Sequence, residues 1–279
     1  MQRVEAPPSE LLFRRRVHLG RAARRCWAAR EIVLTLAHRD FIARYKQAKL
    51  GVLWALFTPL ALMVVFGVVF TRVADIDTGG APYALFAYLG LLPWTFLSAS
   101  VSHGGLSLVS NHQLLNRTFF PREVFPLSSV AVAGVDMAIA TSALLGLFAI
   151  TGTTPAATSV WVPLLLVVQV TIAVAFAMVT SVIVVYLRDL RHAIPVLLQL
   201  GLFATPVAYG LNAVPGSWLL LYCAVNPIAP VIDGYRRTVL WGQPPDWDTL
   251  GVGALSALVM LVGGYYLFKR MEGGLADVS

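Results

Sequence analysis

Long apolar runs are the feature that most restricts the fold of this chain. Six runs of about 20 residues recur along it, the length that an α-helix needs to cross a hydrocarbon core about 30 Å thick. Only 13% of the residues are charged, against about 25% in a typical soluble domain. The sequence therefore predicts an all-α polytopic membrane protein whose transmembrane domain covers residues 50–279. Its six transmembrane helices are expected at about 52–71, 83–106, 127–150, 160–187, 193–210 and 250–269.

The segment between the last two runs has a different composition. Residues 211–249 are moderately apolar and rich in Pro, Gly, Trp and Tyr. Their most apolar stretch, about 15 residues, has the length of a re-entrant or interfacial segment rather than a span. Irregular backbone at membrane depth is tolerated where protein or a wet cavity surrounds it. We therefore expect one or two re-entrant half-helices within 218–240, entering from the outer face.

Positive charge predicts the orientation. Segments 1–51, 107–126, 188–192 and 269–279 hold 18 of the 21 Lys and Arg residues. Short loops rich in Lys and Arg stay in the cytoplasm. We therefore expect a multi-pass membrane protein with both termini in the cytoplasm.

The N-terminal region is strongly basic. Residues 1–52 carry twelve Lys or Arg against four acidic residues, a net charge of +8. Beside a membrane domain this charge favours an anionic lipid surface over nucleic acid. We interpret residues 1–30 as a basic cytoplasmic tail.

Residues 31–49 have the periodicity of an amphipathic interface helix lying in the headgroup plane. Asp40 and Arg44 fall on its apolar side, where their i,i+4 spacing lets them pair with each other. The helix is either a plain membrane anchor or a docking element for a cytosolic partner. The polar residues singled out on it are Arg39, Arg44, Tyr45 and Lys46.

Several kinds of chemistry are absent from the sequence. There is no G-x-x-x-x-G-K-[ST] motif for ATP, no H-E-x-x-H, no C-x-x-C and no G-x-S-x-G turn. The five histidines show no metal-ligand spacing. We therefore expect no enzyme activity, no metal and no cofactor in this chain. Asp136 is the one acidic residue inside a span, and it either packs between helices or wets a pathway.

A short basic segment, 111–126, separates the second and third apolar runs. Asn111 is a suitable N-cap for a short helix, and Pro121 would end that helix. A stiff element joined directly to two spans would give a soluble partner a handle, although a simple turn with two topology-setting arginines is the alternative. The second cytoplasmic loop, with Arg188 and Asp189, is either a positive-inside clamp or a secondary contact.

At this point the motifs resemble a family. The chain is similar to the permease subunits of polysaccharide-exporting ABC transporters of the ABC-2 type, such as the Wzm permease of O-antigen export and the teichoic acid and mycobacterial galactan exporters. The likeness extends over nearly the whole chain after residue 38, while residues 1–30 match nothing in the family. Thr205 stands where many relatives have Ser, and Thr58 where Gln is frequent. The matching positions are Arg39, Asp40, Arg44–Gln47, Leu50, Gly51, Trp54, Pro59, Leu92–Trp94, Phe96, Asn111, Leu114, Phe120–Glu123, Pro126, Leu127, Arg188, Asp189, Pro206, Val207, Tyr209, Asn226, Pro227 and Arg236.

The resemblance implies a half-transporter. Two copies of the chain would form the channel, and two copies of a separate ABC ATPase of the Wzt type would bind ATP and Mg. The substrate would be an isoprenoid-diphosphate-linked polysaccharide, moved from the cytoplasm to the outer side of the membrane.

Two sets of residues are candidates for these roles. The expected contacts for the ATPase are Leu114, Leu115, Phe119 and Phe120 as an apolar surface, Pro121 as the helix stop, Arg122 and Glu123 as a polar rim, and Arg188 and Asp189 in the second loop. Aromatic faces suit a sugar pathway because they pack against the apolar faces of sugar rings. The expected pathway residues are Tyr83, Phe86, Tyr88, Trp94, Phe96 and Asp136.

Other functions remain open from sequence. An ABC-2 exporter of a drug or lipid would share the architecture. A self-contained channel or ion-coupled carrier would transport without an ATPase. A membrane enzyme of lipid-linked glycan synthesis would need an acid/base cluster, which the sequence lacks.

Overall fold

The computed structural model describes residues 19–46, 48–73, 78–115 and 121–272, excluding the side chains of residues 19, 21–23, 25, 71–73 and 115. The described residues form helices and no strand. Residues 1–18 of the basic tail, together with Phe119 and Phe120, lie outside this part of the chain. The helices are α1 (Leu19–Ala28), α2 (Arg30–Tyr45), α3 (Leu53–Val73), α4 (Tyr83–Ser110), α5 (His112–Leu115), α6 (Val124–Thr151), α7 (Val162–Tyr186), α8 (Leu190–Ala204), α9 (Gly216–Val225), α10 (Ile228–Val239) and α11 (Trp247–Met271).

Five helices within the described ranges are long and apolar enough to cross a membrane. They are α3, α4, α6, α7 with the 3₁₀ turn before it, and α11, and they cover five of the six predicted spans. The sixth, predicted at 193–210, corresponds to α8, which has only 15 residues. At 1.5 Å per residue α8 is about 22 Å long, less than the hydrocarbon core. The predicted count of six spanning helices is therefore not confirmed.

Helix α8 stops early for a local reason. Thr205 follows its last residue and has an extended backbone, with φ −99° and ψ 145°. Steric conflict with the ring of Pro206 disfavours the helical conformation for the residue before it. The sequence therefore ends this helix six residues before the apolar run ends.

The segment predicted to hold re-entrant half-helices forms two separate helices, α9 and α10, of 10 and 12 residues, and their re-entrant placement stays a prediction. Asn226 and Pro227 join them. Both helices pack against α11, and α10 also packs against α4 and α7.

Helix α4 is the centre of the bundle. It packs against α3, α6, α7, α8 and α10, and most of its side chains are buried. Close approach depends on glycine at one point: a Cβ on Gly104 would lie 2.6 Å from the Cβ of Ala177 in α7. By contrast, α3 leaves Phe57, Val64 and Val68 more than half exposed, and so contributes little to the core.

Helix α2 packs lengthwise on α6. Leu36 and Ala37 are buried in this contact, whereas Leu34, placed on the same apolar face by the sequence, is 65% exposed. Val33 packs against a cluster that includes Val124 and Phe125 at the start of α6. One side of α2 therefore belongs to the protein core.

Candidate functional site

The segment after α4 begins with a short helix, as predicted, but the Asn111 side chain does not cap it. Nδ2 of Asn111 donates back to the carbonyl of Ser107 in α4 at 2.9 Å, and only its backbone carbonyl accepts from the N–H of Leu114, at 2.9 Å. Helix α5 then covers His112–Leu115. Leu114 is half-buried and packs against the cluster that contains Leu108 and Val124. Of the expected apolar docking surface, the structure thus describes Leu114 and the backbone of Leu115.

Helix α2 contributes to the same surface. Arg39 donates from Nη2 to Oδ1 of Asn111 at 2.8 Å and to Oδ1 of Asp40 at 2.7 Å. An open polar recess of about 370 Å³ lies between them. Its lining residues are Arg39, Ser110, Asn111, His112, Gln113 and Leu114. The structure therefore brings the interface helix and the first loop together in one accessible surface.

Glu123 was wrongly predicted to form an exposed polar rim. It has no exposed surface, and its Oε1 is 2.5 Å from Nζ of Lys269 and accepts a hydrogen bond from the Tyr265 hydroxyl at 2.9 Å. A buried carboxylate requires such partners because its charge is costly to remove from water. Its neighbour Arg122 donates to the carbonyl of Glu272. Glu123 therefore fastens α6 to the end of α11 and cannot contact a soluble partner in this conformation.

The loop between α7 and α8, predicted as the second cytoplasmic loop, is exposed. Arg188 and Asp189 lie between α7 and α8, and both side chains face outward. The carbonyl of Asp189 accepts the backbone N–H groups of His192 and Ala193 and so starts α8. The loop is accessible to a partner, as the secondary-contact interpretation requires.

Asp136 has a basic partner that the sequence did not reveal. Nη1 of Arg44 is 2.5 Å from its Oδ2, and the Tyr45 hydroxyl donates to its Oδ1 at 2.8 Å. The predicted Asp40–Arg44 pair was wrong, because Asp40 pairs with Arg39. Twelve residues separate Asp136 from the first residue of α6, about 18 Å along the helix.

Tyr45 is held as a hydrogen-bond donor at this contact. Burial, followed by the hydrogen bond to Asp136, raises the pKa of Tyr45 to about 12. The phenol therefore stays protonated throughout the physiological range. Lys46, the next residue, is exposed.

Most of the aromatic residues predicted to line a sugar pathway are instead core residues. Phe86 and Tyr88 have no exposed surface, and Phe96 is 3% exposed. The Tyr88 hydroxyl donates to the carbonyl of Ala140 in α6 at 2.8 Å. These three rings pack α4 into its neighbours, where a carried sugar could not contact them. The prediction was wrong for these three residues because residues 85–94 and 96 of α4 are buried among the neighbouring helices.

Tyr83 and Trp94 differ from those three. Tyr83 is half-buried, and its hydroxyl donates to the carbonyl of Ala208 at 3.1 Å. Trp94 lines a half-open, mostly apolar cavity of about 320 Å³ between α4, α7 and α8. A Cβ on Gly201 would lie 2.8 Å from its ring. Trp94 therefore fixes the distance between α4 and α8.

The structure adds one residue whose role the sequence did not predict. Arg236 of α10 has no exposed surface, and its guanidinium donates to four carbonyls. The acceptors are Phe86 at 3.1 Å, Pro206 at 2.8 Å, Tyr209 at 2.8 Å and Val207 at 2.5 Å. The guanidinium also lies 3.6 Å from the centre of the Phe86 ring. Arg236 thus binds three carbonyls of the non-helical segment that follows α8 and one carbonyl of α4.

A second set of bonds closes the same break. Nδ2 of Asn226 donates to Oγ1 of Thr205 at 2.9 Å, and the Tyr222 hydroxyl donates to the carbonyl of Ala204 at 2.6 Å. We call the contacts of Arg236 and Asn226 with residues 204–209 the outer junction. Three of the motifs that resemble the family, around Pro206, Asn226 and Arg236, meet at this junction. Their match to the family pattern was the sequence signal for this site.

The comparisons with known proteins agree with these observations. Residues 31–240 match the family described as ABC-2 type transporter. An O-antigen export system permease protein RfbA of Myxococcus xanthus is 30% identical over 92% of this chain and 98% of its own length. A protein of the same name from Klebsiella pneumoniae is 25% identical over 89% and 95%. The polysialic acid transport protein KpsM of Escherichia coli is 24% identical over 84% and 91%.

Proposed function

The chain belongs to the ABC-2 type transporter family, and we propose that it is the permease subunit of an ABC exporter of a cell-surface polysaccharide. The observation that carries this proposal is the nearly full-length similarity to relatives whose names specify polysaccharide export or transport. Two of those relatives export O-antigen and a third transports polysialic acid. The shared chemistry is a long, hydrophilic glycan, and it defines the substrate class.

The energy for export comes from a separate ATPase. The sequence of this chain has no P-loop motif, so ATP and Mg bind to a partner of the Wzt type. In the proposed assembly two copies of the chain form the channel and two ATPase subunits bind on the cytoplasmic side. The carried form of the glycan is linked to an isoprenoid diphosphate.

The protein is placed in the bacterial inner membrane with both termini in the cytoplasm. The positive-inside distribution supports this orientation, since the loop after α4, the loop after α7 and the end of α11 all carry Lys or Arg. In this orientation the outer junction faces the far side of the membrane. Export then runs from the side with α2 and α5 towards the side with α9 and α10.

The ATPase docks on the recess shared by α2 and the first loop. Arg39, Asn111 and Leu114 supply its described part. Phe119 and Phe120, assigned to the same docking role from the sequence, lie outside the described residues. Arg188 and Asp189 form a second, exposed contact. Glu123 is buried and therefore positions the end of the first loop through its contacts with the protein interior.

Affinity purification in mild detergent tests the proposal. The chain, expressed with its cognate ABC ATPase, is expected to co-purify with that P-loop protein at equal stoichiometry. The complex is expected to export polysaccharide in an ATP-dependent manner. Transport by the chain alone in proteoliposomes, driven by an ion gradient, would overturn the proposal in favour of a carrier. Export of a drug or a lipid, without a glycan, would overturn the substrate class only.

A further inference from the structure

The inner end of α11 carries a lysine with two carboxylate partners. The ammonium of Lys269 lies 2.5 Å from the buried carboxylate of Glu123 and 2.9 Å from that of Glu272, which is 27% exposed. Oε2 of Glu123 has no hydrogen-bond partner among the residues that the structure describes. Lys269 is thus paired at the same time with Glu123, which directly precedes α6, and with Glu272, which directly follows α11. A buried carboxylate with one unsatisfied oxygen makes the Glu123 contact sensitive to small displacements of α6.

The outer end of α11 is fastened to the outer half-helices. The Ser256 hydroxyl donates to the carbonyl of Ala224 in α9 at 2.5 Å. Gly253 faces the start of α10 so closely that a Cβ would lie 2.6 Å from Pro230 and 3.3 Å from the carbonyl of Pro227. Displacement of α11 along its axis would therefore push directly on the segment that contains Asn226 and the outer junction.

Between these ends α11 is a single continuous helix. Its 25 residues extend for about 37 Å. Its contact with α7 is close at Gly264, where a Cβ would lie 2.7 Å from a methyl of Val179. An uninterrupted helix with one tight lateral contact transmits axial displacement instead of absorbing it in a bend.

We propose that α11 transmits movement of the first cytoplasmic loop to the outer junction, with Glu123 and Lys269 as positioning residues at its inner end and Ser256 at its outer end. The inference rests on the proposed function, because the movement originates from ATP hydrolysis by the bound partner. Glu123 directly precedes α6 and directly follows the loop on which that partner docks. When the loop moves, Lys269 loses its contact with Glu123 and keeps its contact with Glu272, and α11 shifts against α9.

A native cysteine reports the outer end. Cys223 of α9 has no exposed surface and packs against Leu211 and Ala229. Replacing Cys26, the one other cysteine of the chain, leaves Cys223 as the single thiol. Its rate of labelling by N-ethylmaleimide then measures how often α9 separates from its neighbours.

The experiment uses the purified complex of the Cys26→Ala chain with its ATPase, in lipid nanodiscs, with and without ATP. ATP is expected to accelerate Cys223 labelling, and Lys269→Met and Ser256→Ala are each expected to reduce that acceleration about fivefold or more, the size of a typical coupling between distant sites. ATP hydrolysis continues in both variants, while export falls. Arg270→Met, an exposed neighbour on the same helix, is the matched control and should behave as the parent.

Several results would contradict the proposal. Equal acceleration in Lys269→Met and the parent, or labelling that never responds to ATP in a complex that exports, would overturn the inference and leave the proposed function intact. A chain that binds no ATPase would overturn both. Where Lys269→Met fails to fold, the double variant Glu123→Gln/Lys269→Met removes both charges, and a normal ATP response in it would equally exclude the ion pair from coupling.

Discussion

Arg44 on the interface helix α2 forms an ion pair with Asp136 in α6, with 2.5 Å between Nη1 and Oδ2 across 92 residues of sequence. The two side chains are 26% and 17% exposed. This pair fixes the end of α2 about 18 Å along α6. A helix that the sequence predicted to lie in the headgroup plane, as an anchor or as a docking element, is therefore linked to the helix that follows the first loop.

Removing one partner of this pair is expected to destabilise the protein. Asp136→Asn leaves Arg44 partly buried without its counter-charge, at a cost of up to about 3 kcal/mol. Arg44→Met/Asp136→Leu, which removes both charges, should recover most of that loss. Thermal unfolding of the purified permease measures the loss of stability and its recovery. The unfolding free energies of Arg44→Met, Asp136→Leu and the double variant give the coupling energy of the pair. A coupling energy near zero would show that the pair does not hold α2 on α6.

Tyr45 gives the same contact a dependence on pH. The pKa of Tyr45 in the folded protein is raised to about 12 by burial and by its hydrogen bond to Asp136, above its ordinary value near 10. The protonated Tyr45 hydroxyl therefore stabilises the folded protein fully below about pH 10, and this stabilisation is lost as the pH rises towards 12. The parent should lose more thermal stability than Tyr45→Phe between pH 10 and 12. Parallel pH profiles for the two proteins would contradict this.

The fold could be predicted from sequence to the extent that its determinants are local. The lengths of the apolar runs were sufficient to predict the five spanning helices. The Thr205-Pro206 dipeptide, taken into account, would have predicted the earlier end of the sixth. Which charged side chains pair with each other depends on tertiary packing, and the sequence alone did not predict these pairs. Arg44 was assigned to Asp40 because four residues separate them, whereas the folded chain offers Asp136 instead.

The burial of Arg236 and Glu123 could not be inferred from sequence for a related reason. Topology rules count a Lys, Arg, Asp or Glu as a loop residue unless an apolar run surrounds it. Glu123 lies in a turn that follows Pro121 and Arg236 lies within the short helix α10, yet each is fully buried against helices distant in sequence. The resemblance to a family indicated that these positions matter, and only the structure shows which atoms they bind.

The outer junction is expected to require arginine at position 236. Lysine carries the same charge but cannot donate simultaneously to four carbonyls in the fork geometry of a guanidinium. Arg236→Lys should therefore leave at least one buried carbonyl without its donor, at about 1–3 kcal/mol for each carbonyl. Arg237→Lys, which changes an adjacent arginine that donates to Pro244, is the matched control. Equal melting temperatures for both variants would exclude the proposed capping role.

Gly90 tests the same junction from the side of α4. A Cβ at this position would lie 2.6 Å from Nη2 of Arg236 and 2.6 Å from the carbonyl oxygen of Val207. Gly90→Ala is expected to destabilise the protein by about 1–3 kcal/mol through overpacking. Gly146→Ala, in an equally helical position of α6 with open space around it, should be neutral or stabilising because alanine is the better helix former. If the two variants melt alike, the close approach at Gly90 does not limit stability.

Arg39 tests whether the recess between α2 and the first loop binds the ATPase. Its guanidinium reaches Asn111 and remains 45% exposed as a side chain, so it can both shape the recess and contact an acidic partner. Arg39→Gln should weaken ATPase binding by about 1.5–3 kcal/mol, the range for a hydrogen bond to a charged group, and should make the remaining affinity less dependent on salt. Arg30→Gln, at the opposite end of α2 and exposed, preserves the recess and serves as the control. Titration of the labelled ATPase into nanodisc-bound permease at two salt concentrations measures both effects. Unchanged affinity in Arg39→Gln would place the docking surface elsewhere, leaving the loop between α7 and α8, with Arg188 exposed, as the next surface to vary.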